Sequence, residues 1–129
     1  MIELEKISFR HENADVPSLK NVSLTIADGE CVLLCGESGS GKTTITRLIN
    51  GLIPHFYEGE LEGFAMVNGL NVTEAELYET AKLVGSVFQN PRSQFFCVDT
   101  TSELAFGCEN MGMPENEVHA CVDAAAKEL

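Results

Sequence analysis

The sequence predicts an α/β fold in which a short strand, a glycine-rich loop and a helix follow one another, and three segments carry that prediction. Residues 30–35 (Glu-Cys-Val-Leu-Leu-Cys) form an apolar run of strand length. Residues 36–43 read Gly-Glu-Ser-Gly-Ser-Gly-Lys-Thr, a complete G-x-x-x-x-G-K-[ST] octapeptide. Beyond it Ile45, Leu48 and Ile49 recur at helical spacing, and Gly51 supplies a stop. In such a loop Gly36, Gly39 and Gly41 let the backbone curl, so that amides of Glu37, Ser38, Ser40 and Thr44 can face phosphate oxygens. Lys42 brings positive charge to the outer phosphates, and the Thr43 hydroxyl is placed to hold Mg²⁺. The start of the helix adds its own partial positive charge. A glycine-rich surface loop would not require a strand before it and a helix after it.

The other elements follow in chain order. From Ile2 to Arg10 apolar and polar residues alternate (Ile2, Leu4, Ile7, Phe9) with one irregularity near Lys6, which predicts a half-buried strand. Residues 11–18 carry Asn, Asp, Pro and Ser and predict a loop. Leu19 to Ile26 alternates again and should pair with the first strand as a hairpin. Asp28-Gly29 then turns the chain toward residues 30–35. Residues 52–63 hold Pro54 and two glycines and predict irregular chain. Leu61 to Val67 reads as a strand closed by an Asn68-Gly69 turn. Thr73 and Glu76 suggest a capping box opening a short helix, and Lys82 to Phe88 suggests a buried strand ended by Asn90-Pro91. A second capping box, Thr100 with Glu103, should open a helix with Leu104, Cys108 and Met111 on its apolar face. Pro114 suits the first position of a last helix, striped by Val118, Cys121, Val122, Ala125 and Leu129.

Composition narrows the partners. Hydrophobic residues make up 44% and charged residues 22% of the 129, the balance of a globular protein. The formal net charge of −12, with only eight basic residues scattered along the chain, argues against nucleic acid as a partner. A nucleotide pocket needs only one local basic spot. With no apolar run of membrane-spanning length and no signal-peptide pattern, the expected location is cytoplasmic. Five cysteines without a C-x-x-C suggest neither a disulfide framework nor zinc, and Cys31 and Cys35 read as small hydrophobes on one strand face.

Together these segments resemble the N-terminal half of an ATP-binding cassette (ABC) transporter ATPase. The resemblance runs through Leu19-Lys20-Asn21-Val22-Ser23-Leu24-Thr25-Ile26-Ala27-Asp28-Gly29-Glu30, the octapeptide and Gly51-Leu52. Val87-Phe88-Gln89-Asn90-Pro91, Gln94-Phe95 and Glu103-Leu104-Ala105-Phe106-Gly107 are similar to the energy-coupling factor type, which powers uptake of vitamins or metal ions. The resemblance implies a P-loop NTPase fold with an N-terminal antiparallel β part, an incomplete RecA-like core and the start of a helical subdomain. Residues 1–90 would form the β part, core and Q-loop, and residues 91–129 would begin the helical subdomain. It implies ATP and Mg²⁺ as cofactors, with Lys42 and Gln89 as catalytic residues and Thr43 and Gln89 as metal ligands. His11 falls where the family places an aromatic residue stacked on adenine. A second ATPase domain and a transmembrane subunit would be the partners, the latter beside Phe95, Phe96 or Phe106, and the protein would sit on the inner face of the membrane.

The family's Leu-Ser-Gly-Gly-Gln signature, a Walker B strand ending in Asp-Glu and the switch histidine do not occur in these residues. The chain therefore reads as a truncated ATPase, inactive alone, or as a non-catalytic nucleotide-binding or interaction fragment. A further alternative is a compact P-loop kinase in which Phe95-Phe96-Cys97-Val98-Asp99 is the Walker B strand and Asp99 holds Mg²⁺. A P-loop strand ordinarily lies inside a parallel sheet covered on both faces. Without those neighbours, residues 30–35 should leave open strand edges and exposed apolar surface, with marginal stability or self-association.

Overall fold

The computed structural model describes residues 1–128 and divides into two compact units, one of residues 1–86 and one beginning at Val87. In the first unit four strands form an antiparallel sheet in the order β2-β1-β3-β4. They are β1 (Ile2–His11), β2 (Leu19–Ile26), β3 (Gly59–Val67) and β4 (Leu70–Asn71). The predicted hairpin is present, with β1 pairing antiparallel to β2. The unit also holds helices α1 (Lys42–Ile49), α2 (Leu52–His55) and α3 (Leu77–Ala81).

The irregularity expected near Lys6 is a bulge. Leu4 and Ile7 are both buried although three positions apart, which strict alternation forbids. Lys6 at φ 50° absorbs the extra residue, and the register with β3 shifts between Glu5 and Ser8. Side chains take up ladder bonds that the bulge releases: the Lys6 amide donates to Ser23 Oγ and the Asn21 amide to Ser8 Oγ, both at 3.0 Å. Opposite it Gly63 has φ 84°, and a Cβ there would lie 2.3 Å from the Glu5 carbonyl oxygen. Only glycine fits that crossing.

Leu4, Ile7, Phe9 and Leu19 from the hairpin, Ala65 and Val67 from β3, and Leu48, Ile53 and Val72 make one core. Leu48, with Ile45 and Ile49, is the apolar stripe read from the sequence, and it seats α1 against the sheet. The Asn68-Gly69 turn is as expected, both residues having positive φ.

Three local expectations are corrected in this unit. Residues 30–35 make no strand. Leu33 is 84% exposed, and Cys31 and Cys35 are both exposed rather than packed as small hydrophobes. A strand exists only through its ladder, and among the described residues no strand runs beside this one. Of the expected open strand edge and exposed apolar surface, only the exposed apolar surface is present, at Val32 and Leu33. Thr73 does not open a helix, because Asn71 Oδ1 accepts both its amide (3.2 Å) and its hydroxyl (2.7 Å), holding a turn until Leu77. The chain thought irregular over 52–63 contains α2 and the start of β3 at Gly59.

The second unit begins in extended chain. Val87 is 89% exposed, so the buried strand predicted over 82–88 is absent for want of a partner. A 3-10 turn (Pro91–Gln94) follows, capped by Asn90 Oδ1 accepting from the Arg92 amide. Then come α4 (Thr100–Asn110) and α5 (Glu115–Glu128), packed on one another. Helix α4 starts where predicted but by a different cap. Asp99, not Thr100, accepts from the Ser102 amide (2.9 Å) and hydroxyl (2.8 Å). Glu103 turns back to the amides of Phe96 (3.0 Å) and Cys97 (2.8 Å). Of the predicted α4 stripe Leu104 and Cys108 are half-buried and Met111 is exposed; the buried residue of α4 is Ala105, which lies outside that stripe. On α5 Val118 is buried and Cys121 exposed. Leu129 lies outside the described residues.

The Asp99 cap has a pH signature. Hydrogen bonds from the Ser102 amide, and then its hydroxyl, hold the Asp99 carboxyl below its ordinary value. A depressed folded value means that stability is present above the unfolded value and lost as pH falls through the folded one. Helicity measured by circular dichroism should therefore fall more steeply below about pH 4 in the native chain than in Asp99→Asn, which keeps a capping oxygen that cannot titrate. Coincident curves would contradict the cap.

Candidate functional site

The octapeptide folds as a tight loop running into α1. Glycine is required at Gly41, where φ is 88° and a Cβ would lie 2.7 Å from both the Ser18 carbonyl oxygen and Leu19 Cδ2. The loop is thus pressed on the start of β2. The Lys42 ammonium folds back over the loop, donating to the carbonyls of Gly36 (2.8 Å) and Glu37 (2.6 Å) and to Ser40 Oγ (3.2 Å). The first bond within α1 runs from the Ile45 amide to the Gly41 carbonyl (3.0 Å), so the amides of Lys42, Thr43 and Thr44 precede the helical ladder. No side chain caps this end, and its first turn holds no acidic residue. A helix start with neither cap nor carboxylate, beside a lysine, is built for an anion.

The residues fit a phosphate group on geometry alone. A Cβ at Gly41 would wedge the cradle from the β2 side, and Gly36 and Gly39 add two further positive-φ positions. Thr43 is exposed, a hard oxygen at the mouth of the loop. Gly41→Ala should cost unit 1 roughly 2–3 kcal/mol from left-handed strain and contact with Ser18. Gly39→Ala, with nothing within 4 Å of its would-be Cβ, should cost only about 1 kcal/mol. Urea melts of the two variants read the difference, and equal midpoints would mean that Gly41 does not abut β2.

His11 closes β1 at the same end of the hairpin. Its ring stands edge-on to Phe9 at 4.7 Å and to Tyr57 at 6.5 Å. The Ser18 amide donates to the Phe9 carbonyl (2.8 Å), so His11 and Gly41 both adjoin the ends of one connection. Tyr57 is a neighbour that sequence reasoning missed. The Arg47 guanidinium of α1 lies 3.9 Å over its ring centroid, and nothing in the irregular stretch around residue 57 announced that pairing.

Gln89 belongs to the second unit, exposed in the chain just before the 3-10 turn. Asp99 is the cap of α4, and residues 95–98 form no strand. The kinase-like Walker B reading is thereby overturned, because the carboxylate is already held by the helix it starts. Phe106 stacks on Phe96 (5.2 Å, 12° between planes), and Phe95 is 66% exposed. Among the described residues no three His, Cys, Asp or Glu side chains converge as metal ligands, and no helix is long and apolar enough to cross a membrane.

Known proteins of the same pattern bear directly on this loop. The family described as ABC transporter matches residues 19–128. An ABC transporter ATP-binding protein of Treponema denticola is 51% identical over all 129 residues, which cover 26% of its length. One from Pyrococcus abyssi is 44% identical over 118 residues, 92% of this chain and 42% of that protein. The chain thus spans about a quarter of the length of the first of these relatives. Among solved structures, the dimeric ATP-binding cassette MJ0796 bound to ADP and Pi superposes with a TM-score of 0.72 at 23% identity. That match covers 98% of this chain and 56% of the other, and it shows that the two share a fold over that region.

Proposed function

The chain belongs to the ABC transporter family, and on that premise we propose that it binds Mg-ATP through the loop of Gly36 to Thr43. The observation that supports this most directly is the uncapped, acid-free start of α1 beside the Lys42 ammonium. Amides from Gly39 to Thr44 receive the β- and γ-phosphate oxygens, and Lys42 exchanges loop carbonyls for phosphate. Thr43 ligates the metal, and Gln89 keeps the metal and water contact that the family resemblance implies. His11 covers the base. ATP supplies a transferable phosphoryl group; the work of these residues is to hold it still and neutralise its charge.

In the complete protein we read this as the ATP-hydrolysing motor of an uptake transporter of the energy-coupling factor type. A second ATPase domain and a transmembrane subunit are its partners, and the protein is peripheral on the inner membrane face. The first unit is the β part with the P-loop core, and the second is the start of the helical subdomain. A second reading is a nucleotide-binding or interaction module without turnover.

Calorimetry with Mg-ATP, together with phosphate release, tests both readings. Binding by residues 1–129 with little or no turnover is the expected result. Steady turnover would contradict the inactive-fragment part, and no binding by folded chain would end the ATP assignment.

A further inference from the structure

The ring of Tyr57 joins the helix that starts at the phosphate loop to the histidine at the end of β1. Strand β3 is pressed on β1 at its start: Gly59 pairs with His11, and a Cβ at Gly59 would lie 2.3 Å from the Arg10 carbonyl oxygen. That close approach brings the residues before Gly59 alongside the end of β1, where the Glu12 amide donates to the Glu58 carbonyl (3.3 Å). Tyr57 is anchored from its other side too, its amide donating to the Leu52 carbonyl (3.1 Å). Its half-buried side chain packs on the core and stands edge-on to His11, with the centroids 6.5 Å apart and the planes at 78°.

Arg47 reaches the same ring from α1, its guanidinium carbon 3.9 Å from the centroid. A planar guanidinium lies well on an aromatic face, and the contact restricts how that ring can turn. Arg47 follows Thr43 by four positions, so one face of α1 carries both. His11 therefore has a perpendicular ring on each of two contacts, Phe9 at 80° and Tyr57 at 78°. Neither is parallel to it, so neither takes the stacked position that a base would occupy. A cleft of about 320 Å³, lined by His11, Phe56 and Tyr57 among others, opens beside them. Its size suits a small ligand.

We propose that Tyr57, pinned by Arg47, is a positioning residue for the nucleotide base, holding the His11 ring at a set angle before the ligand arrives. This rests on the reading that the glycine-rich loop holds a triphosphate and His11 covers the base, and it extends that reading at the base end. A free imidazole would lose side-chain freedom on stacking, whereas a ring already oriented loses little. Because Arg47 and the loop share α1, the base platform and the phosphate cradle are tied to one rigid element. The benefit should accordingly appear only for a ligand that carries both base and phosphates.

The test titrates the full chain with two probes, Mg-ATP and Mg-tripolyphosphate, and reads the ratio of their affinities. The native chain should prefer ATP. Tyr57→Ala should weaken ATP binding roughly three- to tenfold, while tripolyphosphate stays within about twofold. Tyr57→Phe, which keeps the ring, should restore the native ratio. Arg47→Met leaves Tyr57 and the core in place; it should lower the ratio in the same direction by a smaller factor, and it carries the test if Tyr57→Ala loses helicity. With His11→Ala already present, Tyr57→Ala should leave the ratio where it is. Equal losses for both probes, a native ratio in Arg47→Met, or an undiminished Tyr57→Ala effect without His11 would each overturn the proposal. Equal native affinities for the two probes would overturn it while sparing the phosphate loop; binding of neither would remove the triphosphate reading and the proposal together.

Discussion

Lys42→Ala is expected to weaken Mg-ATP binding by about 2–4 kcal/mol, roughly 30- to 1,000-fold, while leaving the fold in place. The effect is large because the lysine does two jobs. Its ammonium gathers the Gly36 and Glu37 carbonyls and Ser40 Oγ, which sets the curl of the loop. It is also the one basic residue in the octapeptide of a chain with net charge −12, so its loss leaves a polyanion facing a negative molecule. Charge-assisted bonds of this kind are about twice as strong as neutral ones. The fold should tolerate the change, since Lys42 is outside the core and alanine suits the first turn of a helix. Lys42→Arg separates charge from shape: a planar guanidinium cannot take the place of a compact ammonium over two carbonyls, and it should recover only part of the affinity. Titration of the three proteins at one salt concentration decides the matter. Binding by Lys42→Ala within threefold of the native chain would mean that the loop does not hold the triphosphate.

The largest loss of stability should come from Phe9→Ala, about 3–5 kcal/mol. Phe9 is fully buried in a core that Leu19, Ile53 and Ala65 complete. The fit is close: a Cβ at Gly59 would lie 2.9 Å from two of its ring carbons. Backbone that has no side chain to give cannot collapse into the hole, which puts the cost high in the observed range. Small domains are stable by about 5–15 kcal/mol in all, so this one change removes much of what unit 1 has. Phe9→Leu keeps most of the volume and should cost only about 1 kcal/mol. Urea melts of both give the measurement, with the midpoint shift multiplied by the slope. A Phe9→Ala cost below about 1 kcal/mol would show that the ring is not a core residue. His11 should register the change as well, because its ring loses the edge of Phe9 at 4.7 Å.

Where an element is held by its own neighbours in sequence, the sequence was enough to find it. The β1–β2 hairpin, the irregularity at Lys6, the Asn68-Gly69 turn, α1 and the two last helices all follow from period, turn residues and glycine. Each of these closes its bonds within a short span of chain. The same holds for the glycine-rich loop, recognisable from its three glycines, a lysine and a threonine. Two kinds of feature were not legible. Residues 30–35 and 82–88 have strand composition, yet a strand is a relation between chains, and no string of residues carries its partner's address. Caps were misjudged for a related reason: Asn71 competes with a helix start at Thr73, and Asp99 outcompetes Thr100. Such contests between nearby acceptors turn on tenths of an ångström.

By itself, then, the order of residues determined the family and most of the local elements around the glycine-rich loop. Tertiary structure alone decided that Gly41 must be glycine because it abuts Ser18 and Leu19. It decided too that Tyr57 lies within reach of both Arg47 and His11. The physical reason is distance along the chain. A hydrogen-bonded turn or a helical stripe is fixed within about four residues, while contacts between distant segments depend on how whole elements pack.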